Sequence, residues 1–227
     1  MKIICVMNDY SELMETIGYR FKNLNLLRIA LTHSSFSLNA KKINFERLEF
    51  LGDRVLGLIM SEEIFRKFDK ESEGELAKRF SFLVCKKTLI EIASNIKINN
   101  YILVSADIGI SSLKSITANS LEALIAAIFI DSDFEITRNI VINLWKGFLK
   151  KNSLPPTDPK SKLQEWCLKN KKKLPCYQLI KKIGPDHEPT FTIKVIISDK
   201  ISTSAKGKNK QDAEINAAHK LLEKIGV

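Results

Sequence analysis

The sequence predicts an all-α domain followed by a small α+β domain of order α-β-β-β-α. Three observations predict it. From Ser11 to Leu149 apolar residues recur at spacings of three and four, with little period-2 alternation. The stretch KKNSLPPTDPK (150–160) then interrupts the pattern with three prolines. Beyond it, strand-like runs stand between two helical ones. The expected boundaries are 1–150 for the first domain, 151–159 for a semi-rigid linker and 160–227 for the second domain.

Within the first domain, Ser72-Glu73-Gly74-Glu75 has the S-x-x-E form of a capping box before Leu76. LEALIAAIFI (121–130) reads as a buried helix, with Asp131 and Asp133 marking the turn beyond it. In the second domain KSKLQEWCLKN reads as a short helix. YQLIKKI, TFTIKVII and KISTSAK read as three strands separated by GPDHEP and SD turns. From Lys210 to Lys224 the spacing of Ala213, Ala217, Leu221 and Leu222 returns to a helix.

Charge divides the chain in the same place. The net charge is +10, and residues 151–227 carry 16 lysines against 8 acids. That leaves 20 basic and 18 acidic residues for 1–150, a near-neutral domain ahead of a basic one. Such a split points to an anionic partner, nucleic acid ahead of an acidic membrane surface. Cys5, Cys85, Cys167 and Cys176 are scattered without zinc-ligand spacing and read as free thiols of a reducing compartment. No apolar run approaches the roughly 20 residues of a membrane span. IICVM after Lys2 is too short for a signal-peptide core. A cytoplasmic chain without a membrane partner is expected.

NFERLEFLGDRVLGL (44–58) sets three acids in an apolar stretch. At about 100° per residue, Glu49 and Asp53 fall within about 60° and 20° of Glu46, so all three share one helix face. Like charges at these spacings repel. Arg47 and Arg54 lie one position from acids along the chain and are expected on other faces. Oxygen-only carboxylate clusters suit hard cations such as Mg²⁺. The competing reading, a solvated acidic face, fits poorly beside Leu48, Phe50, Leu51, Val55 and Leu56. Glu122 is the only charge between Ala118 and Ile130. Acids are rarely buried without a partner, and a metal would be one. Asn119, one turn earlier, adds a carbonyl oxygen. Glu73 reads equally well as an acid favoured at a helix start.

These residues resemble the ribonuclease III family, whose signature core ERLEFLGD stands unbroken at 46–53. ALTHSS (30–35), EGELAK (73–78) and TANSLEALIAAIFID (117–131) extend the resemblance. The last 70 or so residues resemble the family's double-stranded-RNA-binding domain. The resemblance implies a dimerising all-α endonuclease domain that hydrolyses double-stranded RNA to 5′-phosphate and 3′-hydroxyl ends with Mg²⁺, Mn²⁺ being able to substitute. No nucleotide cofactor is implied. The family's main acids fall at Glu46, Asp53, Asn119 and Glu122, with Asp53 and Glu122 as the catalytic pair and all four as metal ligands. Glu49 and Glu73 match accessory acids, and Phe50 matches a residue packed across the dimer interface. Two positions depart. Asn119 stands where the family usually has aspartate, an oxygen donor without charge. Arg79-Phe80 replaces the usual Leu-Arg after EGELAK, which shifts a basic group.

In the second domain the resemblance places Gln164 and Glu165 at one RNA minor groove and His187, in GPDHEP, at another. Lys206, Lys208 and Lys210 in KGKNKQDAE (206–214) face phosphates across the major groove. Gln211 replaces the family's second lysine there. KNKKK (169–173) reads as a solubilising run. His33 in ALTHSS reads as a packed, hydrogen-bonded histidine rather than a general base. The resemblance implies processing of ribosomal and messenger RNA by a homodimer. The rival reading is a weak or catalytically silent binder of double-stranded RNA on the same fold, set against the retention of five acids. A membrane-surface protein is excluded by the alanine-rich face of the last helix.

Overall fold

The computed structural model describes residues 9–36, 44–149, 158–185, 189–198 and 200–226. The chain divides into two compact units, Met1–Pro155 and Pro156–Val227. The linker expected at 151–159 lies, as far as residue 157, outside the described residues, and so does His187.

The first unit is helical. It contains α1 (Ser11–Ile17), α2 (Leu24–Ala30), α3 (Phe45–Lys67), α4 (Glu73–Leu83), α5 (Lys86–Asn95), a 3-10 turn (Ile98–Asn100), α6 (Ile110–Asp131) and α7 (Phe134–Trp145). Short polar side chains start several of these helices. Asn23, Asn44 and Asp133 accept hydrogen bonds from backbone N–H groups in the first turns of α2, α3 and α7. The capping box at Ser72 and Glu75 opens α4 as the spacing predicts. α6 runs through the middle of the unit against α2, α3, α5 and α7. Leu121, Leu124, Ile125 and Ile128 are fully enclosed, and cutting one back to alanine would cost about 2–5 kcal/mol. The end of α6 is pinned by Asp131, which accepts from the Tyr19 hydroxyl at 2.8 Å and from the backbone N–H of Lys22 and Asn23.

α6 bears on the membrane reading. Ser112–Asp131 is long and apolar enough to match a membrane span by length and composition, at a mean hydropathy of 1.5. It is instead the core helix of the unit, with most of its residues buried. The Ser, Lys, Thr and Asn of its first half keep it from being an unbroken apolar run in the sequence.

The second unit holds α8 (Pro159–Lys169), β1 (Cys176–Ile183), β2 (Thr190–Ser198), β3 (Ile201–Gly207) and α9 (Lys210–Lys224). The strands form an antiparallel sheet in the order β1-β2-β3, with an irregularity between Leu179 and Lys181. α9 packs on β2 and β3, and α8 packs on α9. The core joins Leu163 and Cys167 of α8 to Val195 and Ile197 of β2 and to Ala217, Ala218, Leu221 and Leu222 of α9. Alanines on α9 let the helix lie close to the sheet. At Gly207 the approach is so close that a Cβ would stand 2.2 Å from the Ala213 nitrogen.

Candidate functional site

α3 presents Glu46, Glu49 and Asp53 along one side, as their spacing dictates. α6 brings Asn119 and Glu122 to meet them. The Asn119 side chain hydrogen-bonds Glu49. One turn further along both helices, a Cβ on Gly52 would lie 1.8 Å from the Glu122 carbonyl oxygen. Only glycine admits that contact, and it holds Glu122 at the crossing of the two helices.

The electrostatics follow from this placement. The Glu122 carboxyl is pushed up to about 7, first by burial and then by the charges of Asp53 and Glu49. Burial also raises Glu49, and the charges of Glu46 and Asp53 add to it. The Asn119 hydrogen bond and the nearby His33 act the other way. Among the described residues no three His, Cys, Asp or Glu side chains converge tightly enough to hold a metal ion. The acids feel one another's charge, but their oxygens do not close on one point. In charge and donor type the set still fits a hard divalent cation: carboxylate oxygens, one amide oxygen, and like charges left uncompensated at Glu122.

Arg54 does not point away from the acids as expected. Its guanidinium folds back to within 2.9 Å of Asp53 and lies 5.5 Å from the centre of the Phe50 ring. A long flexible side chain can reach a sequence neighbour that helical angles place on another face. This pair is exposed and is worth little by itself. Glu73 is exposed in the first turn of α4, and no described contact ties it to the other acids. Arg79 turns inward: it is 5% exposed, holds Glu71 through two hydrogen bonds and lies 3.7 Å over the Phe68 ring. The basic group displaced in the sequence is thus part of the core.

His33 is packed as expected, edge-on to Phe45. Its Nδ1 accepts the Ser35 N–H at 3.2 Å and contacts Ser35 Oγ, while its own backbone N–H donates to Leu103 O. Its nearness to Glu49 was not legible in the sequence. Phe50 is 65% exposed and is joined by Leu58 (60%) and Phe65 (71%) in an apolar stripe along one side of α3. The positions 8 and 15 residues beyond Phe50 carry this signal, which sequence reasoning passed over.

On the second unit Gln164 and Glu165 are exposed on α8. Lys206, Lys208 and Lys210 are exposed about the start of α9, and Lys206 and Lys208 line a hollow there together with Thr190, Asp212 and Asn216. Asn209 caps α9 by accepting the Asp212 N–H at 2.8 Å, and Asn216 holds the Lys206 carbonyl. Lys220 and Lys224 are different, since they donate to the β3 carbonyls of Ser204 and Ser202.

Comparison with known proteins gives concordant results. The family described as Ribonuclease-III-like matches residues 23–147, and the double-stranded RNA binding motif matches residues 159–225. A Wolbachia protein of the strain wRi, named Ribonuclease 3, is 43% identical with 97% of each chain covered. A Rickettsia akari protein of the same name is 40% identical over 96% of this chain and 99% of its own. Among solved structures, the nuclease domain of ribonuclease III from Campylobacter jejuni is 40% identical with a TM-score of 0.58, covering 63% of this chain and 99% of its own. A second structure of that domain, described for flexibility in a region involved in dimer formation, has a TM-score of 0.57 at 39% identity and covers 62% of this chain and 99% of its own.

Proposed function

Because the chain belongs to the ribonuclease III family, we propose that it is a Mg²⁺-dependent endoribonuclease that cuts double-stranded RNA to 5′-phosphate and 3′-hydroxyl ends. The observation that carries this reading is Glu122, a half-buried carboxyl raised to about 7 beside Asp53 and Glu49. A core helix that places an acid among acids is explained by a cation those acids share.

Glu46, Asp53 and Glu122 would hold the ion, with the Asn119 carbonyl oxygen as a neutral donor. A divalent cation bound there supplies activation of the attacking water and charge neutralisation on the phosphate. The chain's own residues prepare for it. Gly52 sets the depth of Glu122 through the close approach of α3 and α6. The Asn119 side chain steadies Glu49 between Glu46 and Asp53. Glu122 must lose its proton to become a ligand, so ion binding competes with protonation near neutral pH.

The second unit supplies duplex capture. Lys206, Lys208 and Lys210 face phosphates, while Gln164, Glu165 and His187 reach the minor grooves, where shape is read more than sequence. The exposed stripe of Phe50, Leu58 and Phe65 suits covering by a second copy, which makes the enzyme a homodimer. The setting is the cytoplasm, with ribosomal RNA precursors and structured messenger RNAs as substrates.

The test is cleavage of a long RNA duplex against Mg²⁺ concentration. The wild type should cut. Glu122→Ala should lose about 10³-fold or more in rate, the several kcal/mol a metal ligand supplies, while duplex binding in EDTA stays near normal. A Glu122→Ala enzyme that cuts well would remove this residue from the site.

A further inference from the structure

Lys86 and Ser115 continue the row that carries the acids. On α6, Ser115, Asn119 and Glu122 stand at i, i+4 and i+7, within about 60° of arc. The three therefore share the side on which Asn119 meets Glu49 of α3. The Lys86 ammonium, at the start of α5, donates to Ser115 Oγ. At 1.5 Å per residue its anchor lies about 6 Å along α6 from Asn119 and about 10 Å from Glu122. A fixed positive charge thus stands at the end of the acid row.

We propose that Lys86 is a positioning residue that grips the RNA phosphate flanking the one held at the acids, an inference that rests on the endonuclease reading above. The stability of α5 does not explain the residue. A cation in the first turn of a helix opposes the helix dipole. Here Lys86 is followed by Lys87, with no acid in that turn and no side-chain cap. Nor does ion pairing explain it. Among the described contacts its partner is a neutral hydroxyl, which orients the ammonium without cancelling its charge. An RNA strand drawn towards Glu46, Asp53 and Glu122 meets repulsion at every phosphate not covered by a cation. The Lys86 ammonium removes that repulsion at one defined step along the strand. The spacing to Glu122 then sets which phosphodiester lies over the acids.

The experiment is steady-state cleavage of a long RNA duplex by the full chain at several salt concentrations, for the wild type, Lys86→Ala, Lys86→Arg and Ser115→Ala. For Lys86→Ala the expected result is a KM raised about tenfold, as for loss of one hydrogen bond to a charged group, with kcat within about twofold of wild type. The salt dependence of kcat/KM should flatten by about one phosphate contact. Lys86→Arg should restore both. Ser115→Ala, which keeps the charge but frees it, should give an intermediate KM and reads the proposal even if Lys86→Ala folds poorly. A lysine that only balances the acids would instead shift the Mg²⁺ requirement and leave KM and the salt dependence unchanged; that outcome overturns the proposal. If the wild type cuts and both alanine variants match it, this inference alone fails. If the wild type does not cut duplex RNA, the endonuclease reading fails with it.

Discussion

The acid row of the first unit and the lysine edge of the second are both charged surfaces, built by opposite means. Glu122 sits half-buried at a helix crossing that only glycine permits, among like charges that push its carboxyl up. Lys206, Lys208 and Lys210 stand exposed around a capped helix start, with Asp212 among them. A charge cluster in a low dielectric interacts strongly, and its worth depends on geometry. Exposed charges interact weakly one by one, fade with salt and add up. The first surface should therefore fail abruptly on a single substitution, the second by degrees.

Gly52→Ala tests the abrupt half and should have the largest effect. Its Cβ would meet backbone at 1.8 Å, so α3 and α6 must separate. The cost is about 3 kcal/mol or more, and cleavage should vanish with the displaced Glu122. Gly207→Ala is the counterpart in the second unit, where the added carbon would meet the Ala213 nitrogen at 2.2 Å. It should unfold the small domain and leave the melting of the helical unit in place. Thermal melting followed by circular dichroism reads both. Wild-type melting and cleavage for Gly52→Ala would show that the crossing does not set the site.

Lys208→Ala tests the graded half. Duplex binding should weaken a few-fold at physiological salt, for all duplex sequences alike, and the salt slope should fall by about 1. Cleavage at saturating RNA should be unchanged. A variant that binds normally yet no longer cuts at saturation would break the division of labour between the two surfaces.

What was legible in the sequence was local. Helical spacing placed Glu46, Glu49 and Asp53 on one face. The run from Lys210 to Lys224 is the helix that forms, and the capping box stands where four residues foretold it. What was not legible depends on which helices meet. Asn119 and Glu49 are 70 positions apart, Lys86 and Ser115 are 29 apart, and no period within one element relates either pair. Arg54 was misplaced for another reason. Angles on a helix fix where a side chain begins, and a long guanidinium chooses where it ends. Arg79 shows the same limit: its retreat into the core became visible only with Glu71 and Phe68 in place.

The smallest predicted effect sharpens the comparison most, because it needs neither RNA nor metal. Glu122 has an ordinary carboxyl value of 4.5 and about 7 in the fold. The folded chain thus holds this proton more tightly than the unfolded one. Its contribution to stability is complete below about 4.5 and is lost as pH rises through about 7. Glu122→Gln keeps the shape of the protonated form at every pH. In EDTA the variant and the wild type should melt alike near pH 4.5, and the variant should be the more stable at pH 8. The expected difference is on the order of 1 kcal/mol, less than the full shift because solvent screens a half-buried group. Melting curves from pH 4.5 to 8 measure it directly. A gap that does not grow with pH would mean that the acids around Glu122 are already neutralised by the protein itself, leaving no unbalanced charge for a cation to satisfy.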